Sequence, residues 1–315
     1  MTHHARLTTS LLIATFALAL QLGGGAAAAQ DTLDLRPIWK EGQSARYRMT
    51  TTQTTLAEMQ GIPDAQPQQT TTLFEGELTW RVTRADENGG GEAEMTIDDL
   101  RMTITGPDGE QRSASPQSAD EMMEPVQQML TALVGRPISY VITADGNVDS
   151  VQGYDAIQRQ AGEMGASMDE RYFRNLGLDT LALVGGSQNM NVGSSWQSQQ
   201  SSSHQFGEIT ADVTYTLAGV EEPAGVPTVM IERTASLDLS PELPDLPPDG
   251  PEVAFQQLAG EANGFLMFDR SRNEVVGVFE KQVLSAEVSF ITPDRRMTQT
   301  MTETTDTEVL RIAEE

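Results

Sequence analysis

The chain of 315 residues contains no cysteine and only two lysines, Lys40 and Lys281. Without cysteine there is no disulfide framework, no thiolate-held zinc or iron–sulfur cluster, no thiol nucleophile and no thiol to carry a lipid. Histidine is nearly as scarce: of three, two stand at the extreme N-terminus and the third is His204. Cationic charge is short overall, with 20 Lys and Arg against 46 Asp and Glu and a formal net charge of −26. Such a surface repels phosphate backbones and anionic headgroups, so neither nucleic acid nor polybasic membrane binding is expected.

The N-terminus reads as an address. Arg6 precedes an apolar run from Leu7 to Leu22, and small residues occupy Gly23 to Ala29. This is the pattern of a secretory signal peptide over residues 1–29, with cleavage near Ala29 leaving a mature chain from Gln30. The run is too short and too rich in threonine for an anchor helix, and no later stretch reaches the roughly 20 apolar residues a span requires. The expected location is therefore extracytoplasmic, in the periplasm or secreted.

Period-two alternation dominates the mature chain. Leu78, Trp80 and Val82 alternate with polar neighbours, as do Ala93, Met95 and Ile97; Ile138, Tyr140 and Ile142; Val213, Tyr215 and Leu217; and Leu284, Ala286, Val288 and Phe290. Half-buried antiparallel strands give this pattern. Threonine runs at 50–55, 70–72 and 298–307 suit strands with one face in water. Gly and Asn at Asn88–Gly91, Pro107–Gly109 and Asp145–Asn147 supply the positive φ that tight turns need. The fold class expected is mainly β, a β-rich α+β protein with a curved or half-barrel-like sheet and one or two short helices.

The clearer helix spans about 118–134, with Ser118 and Glu121 as a capping box, Pro125 at a first turn and Gly135 past its end. Its apolar stripe is Met122, Val126, Met129, Leu130 and Leu133. A weaker helical segment covers 154–190.

Two stretches run in the same order. Gly42–Tyr47 matches Gly193–Trp196, each opening a polar strand; Glu77–Val82 matches Asp212–Leu217, setting Trp80 against Tyr215. Gly91–Ile97 matches Gly225–Ile231, and the strand–turn–strand at 139–153 matches that at 264–279. This internal repeat predicts two related antiparallel-sheet lobes, 30–153 and 191–315, joined by the helical segment 154–190, with one continuous long-stranded sheet as the alternative. Within the second lobe, 241–251 carries five prolines and reads as an extended loop.

Gly193-x-x-Trp196, the Gly260-x-x-x-Gly264 step ending in Phe268-Asp269, and the two-lobe order resemble a family of uncharacterised secreted bacterial proteins with a domain of unknown function. That resemblance implies architecture and location, and no activity, cofactor or catalytic residue. The pattern is also similar, by analogy, to half-barrel periplasmic lipoprotein carriers, whose curved sheet and lid helix enclose an apolar cavity.

Motifs for chemistry are sparse. Asp145, Asn147 and Asp149, and likewise Asp269, Ser271 and Asn273 with Glu280 twelfth, have the alternating spacing of a calcium loop. Both lack the sixth-position glycine, so a hairpin turn is the expected structure and no metal is assigned. His204 has no Gly-x-Ser-x-Gly elbow to serve, and the glycine clusters at 89–91 and 185–186 lack a subsequent Gly-Lys-Ser/Thr. No cofactor is expected.

The function expected is a non-enzymatic binding, carrier or envelope interaction protein, whose partner is an apolar small molecule or an envelope protein. Trp80, Tyr140, Tyr215, Phe265, Met122 and Met129 are the candidate ligand-lining residues. Two alternatives stand beside it: a structural envelope scaffold, and a secreted hydrolase using two convergent carboxylates in a concave pocket.

Overall fold

Strand alternation is realised over unusual lengths. In a computed structural model the described residues are 33, 35 and 39–312, apart from 63, 88, 145–146, 182–189, 205–206, 222–227, 242–251, 270, 273 and 293–294. The expected signal segment and all of the proline-rich loop except Pro241 lie outside them. The strands are β1 (Ser44–Gln60), β2 (Gln68–Ala85), β3 (Gly91–Thr105), β4 (Gln111–Ala114), β5 (Pro137–Ile142), β6 (Val148–Gln152), β7 (Ser195–His204), β8 (Gly207–Glu221), β9 (Thr228–Pro241), β10 (Glu252–Asp269), β11 (Glu274–Thr292) and β12 (Arg295–Ile312). The helices are α1 (Glu124–Leu133), α2 (Tyr154–Gln160) and α3 (Glu170–Leu181). At about 3.3 Å per residue the longest strands reach roughly 60 Å.

All twelve strands belong to one antiparallel sheet of order β6-β5-β3-β2-β1-β12-β11-β10-β9-β8-β7, with β4 beside β3. The stretches read as lobes are its two halves, because β1 pairs with β12 from Arg46↔Ile312 to Gln60↔Thr298. The first half winds outward from β1 to the β6 edge, and the second winds inward from the β7 edge to β12. Each half opens on a similar turn. Gly42 N donates to Val82 O and Val82 N to Gln43 O; Gly193 N donates to Leu217 O and Leu217 N to Ser194 O. Both glycines sit at positive φ, +80° and +88°, which a side chain would disfavour.

Because paired residues share a face, the register separates two surfaces. The inner face carries Tyr47, Leu78, Trp80, Met95, Tyr140, Leu217, Ile231, Leu266 and Val309, all buried in one core cluster that includes both halves. Helix side chains Leu130, Leu133, Ile157 and Phe173 complete it. Each such side chain, fully buried, contributes on the order of 2 kcal/mol. The threonine runs depart from expectation. Along β1 residues 49–57 are half-buried throughout, and cross-strand hydroxyls meet, as Thr51 with Thr307 and Thr54 with Thr71, both at 3.4 Å.

The helices match the sequence reading at the two ends of α1 and differ from it at the Ser118 cap and after Tyr154. α1 starts beside Pro125 and ends before Gly135, whose φ is +76° and whose N–H donates to Ile97 O at 2.8 Å. Ser118 does not cap it; Ser118 closes a turn with Ser115, and Asp120 Oδ2 accepts from Ser113 N at 2.7 Å. The segment after Tyr154 is three pieces, since Gly162 at φ +64° breaks α2 into a 3-10 turn before α3.

α3 fills the gap between the two sheet edges. Arg174 donates to the β6 carbonyls of Val148 and Asp149, and Asn175 Nδ2 donates to Ser201 O on β7 at 2.8 Å. Unpaired edge carbonyls on both outer strands thus find side-chain donors on one helix. Gly177 faces the Tyr140 ring, where a Cβ would collide. Tyr140 OH donates to Phe173 O at 2.9 Å.

Candidate functional site

The candidate residues do not converge. Trp80 and Tyr140 lie in the inner core with ring centroids 4.8 Å apart, 4% and 0% exposed. Burial pushes the Tyr140 hydroxyl well above the usual phenol range. Tyr215, also buried, stacks on Trp196 at 5.4 Å in the other half. Met129 packs partly buried against the core, whereas Met122 precedes α1 in a 3-10 turn and is 72% exposed, with Arg112 Nη1 donating to its sulfur. Phe265 is set apart on the outer face.

Around Phe265 the outer face forms a groove of about 690 Å³ across β9, β10, β11, β12 and β1. Phe265 and Phe279 are cross-strand partners, half-buried and stacked at 4.7 Å with an interplanar angle of 23°. Met230 lies one row along, paired with Met267, and Gly277 on the far side of Met267 lacks the side chain that would meet its Cε at 2.6 Å. That absence lets Met267, Phe279 and Leu310 close over Gly277, and the apolar lining of the groove is Met230, Phe265 and Phe279. A volume of this size falls in the range of small-molecule sites.

Behind the groove, on the inner face, Arg233 of β9 forms an ion pair with Glu280 of β11 across β10. Gly264 is the intervening residue, and a Cβ there would collide with the Phe279 carbonyl. Arg233 Nη2 also donates to Gln200 Oε1 at 2.9 Å, and Gln200 Nε2 to Tyr215 OH at 3.3 Å. With Asn175 of α3, Arg233, Glu280 and Gln200 border a small pocket of about 140 Å³. Glu280, read from sequence as the twelfth position of a calcium loop, therefore faces an arginine. The available signal was parity: Arg233 lies two residues after Ile231, and Glu280 two after Val278, at apolar inner-face positions of two strands.

A third concavity, of about 590 Å³, lies at the β10–β11 turn, where Lys40, Arg272 and Arg311 surround Glu274. Arg311 Nη1 is 3.0 Å from Glu274 Oε1. Burial pushes the Glu274 carboxyl above the usual glutamate range, against the opposing pull of Arg311 and Arg272. Asp269 goes the other way. Burial alone would raise it, but Ser271 Oγ and the N–H groups of Ser271 and Arg272 all donate to its Oδ1 and hold it low. That carboxylate is occupied by its own turn. Among the described residues no group of three or more His, Asp or Glu is placed to hold a metal ion, and no helix is long and apolar enough to cross a membrane. Of His204 the structure describes only the strand position.

None of the curated proteins matches this chain. Among solved structures, lipovitellin, described for its lipid–protein interactions, aligns at 11% identity and a TM-score of 0.44, covering 87% of this chain and 25% of that one. The chain thus spans about a quarter of the lipovitellin chain it matches. A DUF1329 family protein from Desulfovibrio piger aligns at 10% identity and a TM-score of 0.13, covering 83% of this chain and 84% of that one. Residues 89–176, which run from β3 through α1 into α3, match a family of unknown function, DUF6263, in keeping with the resemblance to an uncharacterised family.

Proposed function

We propose that the protein is a non-enzymatic binding or carrier module acting outside the cytoplasm, and that its ligand is a small molecule with a substantial apolar part. The observation that carries this reading is the outer-face groove, where Phe265 and Phe279 present a stacked, half-buried pair within an apolar lining. Apolar surface in a concavity of this volume, away from the core, is the usual mark of a ligand site rather than of packing. The extracytoplasmic location rests on the N-terminal segment, and the similar opening turns of the two sheet halves support reading them as related units. Of the residues picked from sequence, Phe265 is the one this reading retains; Trp80, Tyr140 and Tyr215 serve the core.

The test is native mass spectrometry of the mature chain purified from its native source, looking for an adduct released on denaturation. Phe265→Ala and Phe279→Ala should each lose the adduct while keeping the wild-type circular dichroism spectrum. An adduct that survives both substitutions would place the ligand elsewhere.

A further inference from the structure

The groove has a charge pattern as well as an apolar lining. Register places Glu232, Phe265, Phe279, Glu308 and Thr50 in a single row across β9, β10, β11, β12 and β1. One carboxylate therefore flanks each side of the aromatic pair. The rings stack on each other at nearly the strand spacing, so their outward π-faces point along the row, Phe265 toward Glu232 and Phe279 toward Glu308. Both glutamates are exposed, and neither has an ion-pair partner among the described residues. The other charges at the groove already offset one another: Arg233 pairs with Glu280, and Lys281 Nζ lies 4.0 Å from Asp306. What remains is negative.

From this geometry we infer that the ligand is an organic cation, an amine or quaternary ammonium carried on an apolar body. The inference rests on the groove being the binding site and names the chemistry of what enters it. Between a ring face and its flanking carboxylate, a cation meets the negative π-face on one side and a full charge on the other. The apolar body lies along the apolar lining that Met230 shares with the two rings. An anionic amphiphile meets unpaired carboxylates at both ends of the row and is repelled.

The experiment titrates the full chain, below their aggregation limits, with three ligands sharing one alkyl chain: decyltrimethylammonium, decanol and decanoate. Calorimetry gives Kd, and the Met230 and Met267 methyl resonances report the site. A cation–π contact plus one exposed ion pair predicts that decyltrimethylammonium binds about tenfold tighter than decanol, with decanoate weakest. The double variant Glu232→Gln with Glu308→Gln removes the ion pair and keeps the ring faces, so it should cut the preference for the cation to about threefold and leave decanol unchanged. Neutralising two exposed acids elsewhere, Glu41→Gln with Asp155→Asn, should leave the preference intact. Equal binding of cation and decanol, both lost in Phe265→Ala, would overturn the cation inference while keeping the groove. A preference lost equally in both double variants would also overturn it, since overall charge would then be its source. If none of the three shifts the groove methyls, the binding reading itself fails.

Discussion

Gly264 sits between two opposite charges that would otherwise be kept apart by a side chain. Because β10 offers no Cβ there, Arg233 and Glu280 meet across it on the inner face, 13% and 18% exposed. Removing one partner leaves the other nearly buried and uncompensated, so Arg233→Ala should cost on the order of 3 kcal/mol. The pair Arg233→Met with Glu280→Leu should cost less than either single change, as urea unfolding would show; additive losses would mean the two do not interact. Gly264→Ala should destabilise by about 1–3 kcal/mol through its collision with the Phe279 carbonyl. At Glu274 the sign of the pH dependence is set by burial. Its folded-state pKa lies above the unfolded value, so the stability it contributes is present below the ordinary glutamate range and is lost as pH rises through the folded pKa. Glu274→Gln mimics the protonated form. The difference in Tm, variant minus wild type, should therefore grow between acid and neutral pH, and a flat or falling difference would contradict the account. Single residues are only partly legible from sequence: alternation locates Trp80, Tyr140 and Tyr215 on one buried face, but a core position and a cavity wall carry the same pattern. Phe265 differs from them only by a parity that the unbroken apolar run Phe265-Leu266-Met267-Phe268 conceals.

Among the elements, α3 does a task that no strand does. The meanders leave β6 and β7 as free edges, and the helix supplies Arg174 to one and Asn175 to the other. Edge carbonyls left without a donor are open to pairing with other chains. Asn175→Ala should lower stability by about 1 kcal/mol, and hydrogen exchange should quicken in β6 and β7 before it does in β1 and β12. Uniform quickening across the sheet would mean that α3 is not a local closure. Strand identities and their order can be read from alternation and turn residues because both are local properties. The role of α3 cannot, because its partners lie far away along the chain on either side and its polar face reads as solvated until the edges are known. Gly162 and Gly165 do signal an interrupted helix, and the interruption is what aims α3 along the gap.

For the molecule as a whole, the two stretches read as lobes are halves of one sheet, the alternative the sequence left open, with a packed inner face and a grooved outer one. Sequence shows each strand's two faces, but which outer residues line up across five strands depends on register, fixed by pairings such as β1 with β12 between the ends of the chain. The row Glu232–Phe265–Phe279–Glu308 becomes visible only at that scale. The claim that this outer groove, and not the inner core, receives the ligand is tested most directly by labelling the methionine methyls and monitoring them during titration with decyltrimethylammonium. The account predicts saturable shifts at Met230 and Met267 with Met95 and Met168, both buried in the core, unmoved. Shifts confined to Met95 and Met168 would show that the ligand enters the inner face and would contradict the assignment of the site.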